Sequence, residues 1–381
     1  MNKKIGYYVC DGVEYSSKVQ GAIDAAKKQK PLEWVFSDDV FSKFDFATEP
    51  EETIDELYNA RARQLREEYD YLILSYSGGA DSHNILMAFH RQGLHIDEIV
   101  TNWVFDAAKS LFLVNDSNVK DPWNHNAEFE LNAKEKLNWI SANMPRTTIT
   151  VWDISKNLIS YYVGRAKDNS WVLDAKDSLN PAANQRYNYF HIKDLRNRVD
   201  KKVSVGIICG VDKPPCVVKD GKLYLQFLDK IANNVPMNSS FKDYDNCTLE
   251  FFYWSPDSCK ILAKQCHALL KHLSLNQQHR NFWTETPYFF MFRDARERIL
   301  RNVVYTTWDD SWYQANKSTK DWDSEFDYWF LHNPQLGRAK YNWEQGLTNL
   351  KNEIGDEYLS LDGRGLLKIH SPLYYVGELP N

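Results

Sequence analysis

The chain of 381 residues is short of the features that mark specialised protein classes. Its six cysteines, Cys10, Cys209, Cys216, Cys247, Cys259 and Cys266, include no Cys-x-x-Cys pair. A zinc ribbon or an iron–sulfur cluster therefore has no sequence support, and scattered cysteines suit a reducing compartment. No apolar run approaches the roughly 20 residues of a membrane span. The opening residues, Met1 to Tyr8, lack a long apolar stretch and are soon followed by Asp11 and Glu14, so no signal peptide is expected. A net charge of −6 argues against a general nucleic-acid or membrane-surface binder. Internal repeats, low-complexity tracts, a Gly-x-Ser-x-Gly elbow and a Gly-Lys-Ser/Thr phosphate loop are all missing. The expectation is a cytoplasmic globular protein with no membrane partner.

Hydrophobic residues make up 43%, enough to build a large core. Residues 1–52 read as a structured lead-in packed on that core. They offer a strand near Ile5 to Val9, a helix from Val19 to Lys28, and an aromatic loop through Trp34, Phe36, Phe41, Phe44 and Phe46. Thr53 and Glu56 form a capping-box candidate ahead of an apolar stripe at Ile54, Leu57, Tyr58, Ala62, Leu65 and Tyr69. Strand-like runs then alternate with helical ones. Strands are expected over Tyr71 to Leu74, Ile96 to Phe105, Thr147 to Trp152 and Val203 to Cys209. Helices are expected over Ser82 to Gly93 and Asn126 to Met144. That alternation predicts an α/β fold with a doubly wound, Rossmann-like parallel sheet over 53–235. Asp220-Gly221 between two apolar runs predicts a hairpin over Val217 to Leu225. Residues 236–381 read as an additional, mainly helical, aromatic-rich region with an extended end from Leu366 to Val376.

The densest signal is Ser75-Tyr-Ser77-Gly78-Gly79-Ala80-Asp81-Ser82, set between the first strand of the predicted sheet and its helix. A glycine-rich turn opening a helix collects backbone N–H groups and the positive end of the helix dipole, an anion site by construction. Glycines let phosphate oxygens approach the backbone without a Cβ in the way. Ser77 and Ser82, and more weakly Ser75, add hydroxyls. Asp81 either caps the helix or stands beside a metal that bridges it to phosphate.

Ser77-Gly78-Gly79-Ala80-Asp81-Ser82 resembles the Ser-Gly-Gly-x-Asp-Ser signature of the PP-loop ATP pyrophosphatases at every position, and the resemblance covers about residues 65–215. It implies a PP-loop (HUP-type) sheet, ATP and Mg²⁺ as cofactors with Asp81 as metal ligand, and cleavage of ATP to AMP and pyrophosphate. The released energy would activate a carbonyl or carboxylate acceptor for a nitrogen or sulfur nucleophile. The overall look is similar to phage-type asparagine-synthase-like or phosphoadenylylsulfate-reductase-like proteins, which would place it in a host cytoplasm. The implied partners are a small-molecule or nucleobase-type acceptor and, for self-association, a homodimer.

Gly210-Val-Asp212-Lys213-Pro-Pro follows the last predicted strand, where relatives place a loop facing the nucleotide. Lys213 is the candidate for neutralising phosphate charge, and Asp212 for orienting it. Asn102 and Trp103 end the second strand, where relatives hold the base. Arg186 is a candidate anion clamp, and Lys317 a weaker candidate for closing over the site. His83 and His90, seven residues apart, do not match the four-residue spacing of paired metal ligands. An amino-terminal glutaminase is not expected, since Asn2 follows Met1 and the first cysteine is Cys10. Two alternatives stay open: a reductase of the phosphoadenylylsulfate type, against which the lack of cysteine after Cys266 counts, and a nucleotide-binding module without turnover.

Overall fold

The computed structural model describes residues 6–106, 129–165, 199–200, 202–229, 246–285, 290–312, 325–359 and 365–380. It opens with an antiparallel sheet of order β2-β1-β3, from β1 (Tyr7–Cys10), β2 (Val13–Tyr15) and β3 (Glu33–Val35). Helix α1 (Lys18–Lys28) lies between β2 and β3, and the short α2 (Asp38–Phe41) follows. Part of the expected aromatic loop is thus strand and helix. Phe36 and Phe41 pack edge-on or tilted against Phe227, and Trp254 closes the group, so the lead-in shares the main core.

Helix α3 (Ile54–Glu68) starts with the capping box: Glu56 N–H donates to Thr53 Oγ1 while Thr53 N–H donates to Glu56 Oε2. Beyond it lies a sheet of five strands, all parallel, in the order β10-β7-β4-β5-β6. These are β4 (Tyr71–Ser75), β5 (Glu98–Trp103), β6 (Thr148–Asp153), β7 (Val205–Cys209) and β10 (Cys247–Phe251). Counted from β4 along the chain, the spatial order is 3-2-1-4-5, the pattern of a Rossmann-like α/β sheet. Succession moves outward from β4 to one edge, then returns to β7 on its other side. The crevice between the carboxyl ends of β4 and β7 is the switch point where such sheets bind ligands.

The described residues after 235 are mostly helix, as expected, but they also include the strand β10. Those residues supply an edge of the parallel sheet, and the expected boundary at 235 falls between two strands of it. The hairpin is present as β8 (Cys216–Lys219) and β9 (Lys222–Leu225), with Asp220 at φ 50° and Gly221 at φ 71°. Two successive positive φ values are what a type I′ turn demands. The chain end returns as β11 (Tyr374–Glu378) beside β9.

The loop helix is α4 (Ala80–His90), and β5 leads outside the described residues to a π-helical turn (Phe129–Ala133) continued by α5 (Lys134–Asn143). Helix α6 (Ser155–Arg165) follows β6. The later helices are α7 (Cys259–Leu275), α8 (Gln277–Glu285), α9 (Phe290–Val304), α10 (Glu325–His332) and α11 (Gly337–Ile354). A second core joins α1, α6, α10 and α11 through Val19, Leu158, Tyr162, Trp329, Phe330 and Trp343. Among the described residues no helix is long and apolar enough to cross a membrane.

Candidate functional site at the sheet switch point

Residue Ser75 ends β4, and the chain turns at Gly78 with φ +77° before α4 begins at Ala80. The helix starts two residues before the expected Ser82, and its N-cap is Gly79 in extended conformation. Asp81 is therefore not the cap; it lies in the first helical turn. The turn is held by its own hydroxyls. Gly79 N–H donates to Ser77 Oγ at 3.2 Å, Ser77 N–H to Ser82 Oγ at 3.3 Å, and Ser82 Oγ to Gly79 O at 3.2 Å.

Gly78 is backed by the π turn. A Cβ there would meet Ala133 Cα at 2.8 Å, and Gly78 O accepts from Asn132 Nδ2 (2.7 Å) and Lys136 Nζ (3.0 Å). Buried Lys136 also lies 4.6 Å from the Trp308 ring and 4.4 Å from that of Trp312. His83, facing the same tryptophans and bonded to Tyr76 OH at 3.1 Å, is pushed down to about 3 by burial and by Lys136. It is neutral at ordinary pH and packed among aromatic rings. His90 packs edge-on against Trp139.

The other wall of the turn is the loop after β7. Gly210 makes a tight approach there: a Cβ would sit 3.1 Å from Asp81 Cβ and 3.2 Å from Ser82 N. Lys213, only 7% exposed, reaches back across the switch point. Its Nζ is 2.7 Å from Asp81 Oδ1, 3.1 Å from Asp212 Oδ1 and 3.1 Å from Glu297 Oε2 of α9. Tyr305 OH donates to Asp81 Oδ1 at 2.6 Å, and Tyr253 OH to the Asp81 carbonyl at 3.0 Å. Burial would lower the Lys213 ammonium, but Asp212, Asp81 and Glu297 outweigh it and hold its pKa well above the usual value. Crowding by protein atoms raises Asp212 to about 6 although 22% of its side chain meets solvent. Lys213 opposes that rise, and Asp81 and Glu297 add to it. Three carboxylates thus share one ammonium.

The sequence candidates Ser77, Gly78, Gly79, Ala80, Asp81, Ser82, Gly210, Asp212 and Lys213 come together here. Trp103 does not face them as a free ring: it is buried, stacked edge-on with Phe129, and its Nε1 donates to Thr101 Oγ1 at 2.7 Å. Asn102, at the carboxyl end of β5, keeps a buried Oδ1 with no hydrogen-bond partner among the described residues. Arg186 and Lys317 lie outside the described residues. Glu297, Tyr305, Lys136 and Asn132 were missed from sequence, and nothing local distinguishes them from ordinary helix or loop residues. A described surface pocket of about 120 Å³, lined by His90, His95 and Arg146 among others, lies at the far end of α4 and not at the turn.

Among the described residues, no group of three His, Cys, Asp or Glu side chains could by itself hold a metal ion. Magnesium on a nucleotide needs no such cage: one or two carboxylates, water and phosphate oxygens suffice. Asp81 and Asp212 have the right oxygen chemistry, and the surplus of negative charge around Lys213 suits a further cation. No family model, curated protein or solved structure matches the chain.

Proposed function

We propose that the chain is an ATP-dependent adenylating enzyme of the PP-loop type. A carbonyl or carboxylate oxygen of the acceptor would attack the α-phosphorus of ATP and expel pyrophosphate, and a nitrogen or sulfur nucleophile would then attack the adenylated carbon and expel AMP. One observation carries the reading. The loops after the adjacent parallel strands β4 and β7 interlock at the switch point, with Gly210 against the Asp81–Ser82 backbone and Lys213 Nζ 2.7 Å from Asp81.

On this reading the N–H groups opening α4, aided by the Ser77 and Ser82 hydroxyls, receive the departing pyrophosphate. Those hydroxyls now bond within the turn and exchange these partners for phosphate oxygens. Lys213 supplies positive charge as the bond between the α and β phosphates breaks, a task of placement and electrostatics that asks for no protein base. Asn102 Oδ1, buried and without a hydrogen-bond partner among the described residues, is an acceptor for an amino or hydroxyl group of the nucleoside. Magnesium, held by Asp81 and Asp212 together with phosphate, would neutralise the polyphosphate. Binding calls for Lys213 to give up some of its carboxylate contacts.

The test is pyrophosphate release from ATP with a panel of carboxylate and amide acceptors. Release should fall at least about a hundredfold in Lys213→Ala and in Asp81→Ala, in line with the loss of a group stabilising transition-state charge. An unchanged rate in both variants removes the proposal.

A nucleotide-binding module without turnover is the second reading, favoured by the closure of the turn: its hydroxyls satisfy one another, and Ala133 fills the space beside Gly78. Tight ATP binding with no pyrophosphate from any acceptor would select it. The reductase alternative gains nothing, because all six cysteines are buried and burial raises the Cys266 thiol well above its usual value.

A further inference from the structure

Glu297 belongs to α9, more than 80 residues beyond Lys213 in sequence, and its carboxylate approaches the Lys213 ammonium at the switch point. Asp81 and Asp212 are already there, so the Lys213 ammonium is in contact with three carboxylates. Asp81 takes a phenol from Tyr305 and Asp212 Oδ1 accepts from the Lys213 backbone N–H at 2.6 Å, which fixes both. Among the described residues the Glu297 carboxylate meets only the ammonium tip. Of the three acids it is thus the one without a second hydrogen bond to hold it when an entering phosphate oxygen competes for Nζ.

We infer that Glu297 is a specificity-determining residue that makes the site reject bare polyphosphate and accept it only as a complex with a divalent cation. The inference rests on the reading of the switch point as a pyrophosphate site. A metal-free pyrophosphate must displace Glu297 from Lys213 and then stand beside three carboxylates, one of them newly unpaired. A magnesium complex brings the charge that offsets them. Replacing the Glu297 carboxylate by an isosteric amide removes one repulsive charge a few ångströms from the ligand, worth at least about tenfold in affinity at a partly buried site. The same change matters less once magnesium has neutralised the ligand.

The experiment is titration of the full chain with inorganic pyrophosphate by calorimetry, at low ionic strength, in EDTA and again in excess magnesium. Wild type should bind weakly in EDTA and well in magnesium. Glu297→Gln should bind at least about tenfold more tightly in EDTA, with a much smaller gain in magnesium. Glu297→Asp, which keeps the charge, should behave as wild type and controls for loss of packing. Equal affinities of wild type and Glu297→Gln in EDTA, with binding still abolished by Lys213→Ala, overturn the inference and leave the pyrophosphate site standing. Absence of binding to wild type and to every folded variant in magnesium overturns both the site and the inference.

Discussion

Arg61 and Lys213 are both cations buried against the same parallel sheet, and they differ in how many carboxylates they face. Arg61 of α3 meets Glu250 of β10 at 2.7 Å, both side chains at most 2% exposed, and Tyr69 OH donates to the other Glu250 oxygen at 2.6 Å. That pair is balanced in charge and shut away from water, the condition under which a buried ion pair locks elements together. Lys213 faces three carboxylates that keep 22–29% of their side chains in solvent. An unbalanced cluster open to water is a poor staple, and on the proposed reading it holds charge ready for a ligand. The contrast separates the pair that holds β10 to α3 from the cluster at the switch point.

The largest effect should come from breaking the balanced pair. Arg61→Ala leaves Glu250 buried without its counter-charge, a loss of about 3–5 kcal/mol, read from the urea midpoint at pH 7. Combining Arg61→Met with Glu250→Gln should recover most of that loss, because no charge is then stranded. Lys213→Met should cost clearly less than Arg61→Ala, since its three partners can hydrate. A cost as large would make the Lys213 cluster structural and erase the distinction.

The two glycines flanking the turn sharpen the contrast on a smaller scale. Gly78→Ala combines a positive φ of +77° with a contact of 2.8 Å to backbone at Ala133, and should cost about 2–3 kcal/mol. Gly210→Ala needs shifts of only a few tenths of an ångström against Asp81 and Ser82 and should cost about 1 kcal/mol. Thermal midpoints of the two variants, measured side by side, check the order. The functional loss should run the other way if the interlocked loops are the site, because Gly210→Ala moves Asp81 relative to Lys213.

What was legible in the sequence was what is encoded locally. The strand from Tyr71, the glycine turn and the helix after it lie within 20 residues, and the Asp220-Gly221 hairpin and the Thr53–Glu56 box are shorter still. The strand β10 was missed because Glu250 interrupts its apolar run. The arginine that makes a buried glutamate tolerable, Arg61, stands 189 residues earlier. Glu297 and Tyr305 were missed for the same reason: Tyr305 reaches Asp81 across 224 residues of sequence. The start of α4 was placed two residues late because Gly79, which has no side chain to signal a cap, ends the turn in extended conformation. Local chemistry marked the turn, and long-range packing supplied the groups that surround it.

A modest effect on stability, and the one with a distinctive pH signature, belongs to Asp212. Its carboxyl is raised in the folded chain to about 6 from an ordinary value of 3.8, chiefly by burial, with Asp81 and Glu297 adding to the rise. An acid raised on folding binds its proton more tightly in the native state, so stability falls as pH climbs between about 4 and 6. The native state carries that penalty in full at pH 7. Asp212→Asn keeps an oxygen to accept the Lys213 N–H, removes one of three crowded charges, and should raise stability at pH 7 on the order of 1–2 kcal/mol. At pH 4, where the wild-type carboxyl is already protonated, the gain should vanish. Denaturant midpoints at pH 4, 5, 6 and 7 for wild type and Asp212→Asn read the difference directly. A gain that stays constant across that range would mean that the amide helps through packing alone, and that the three carboxylates around Lys213 are not in electrostatic conflict.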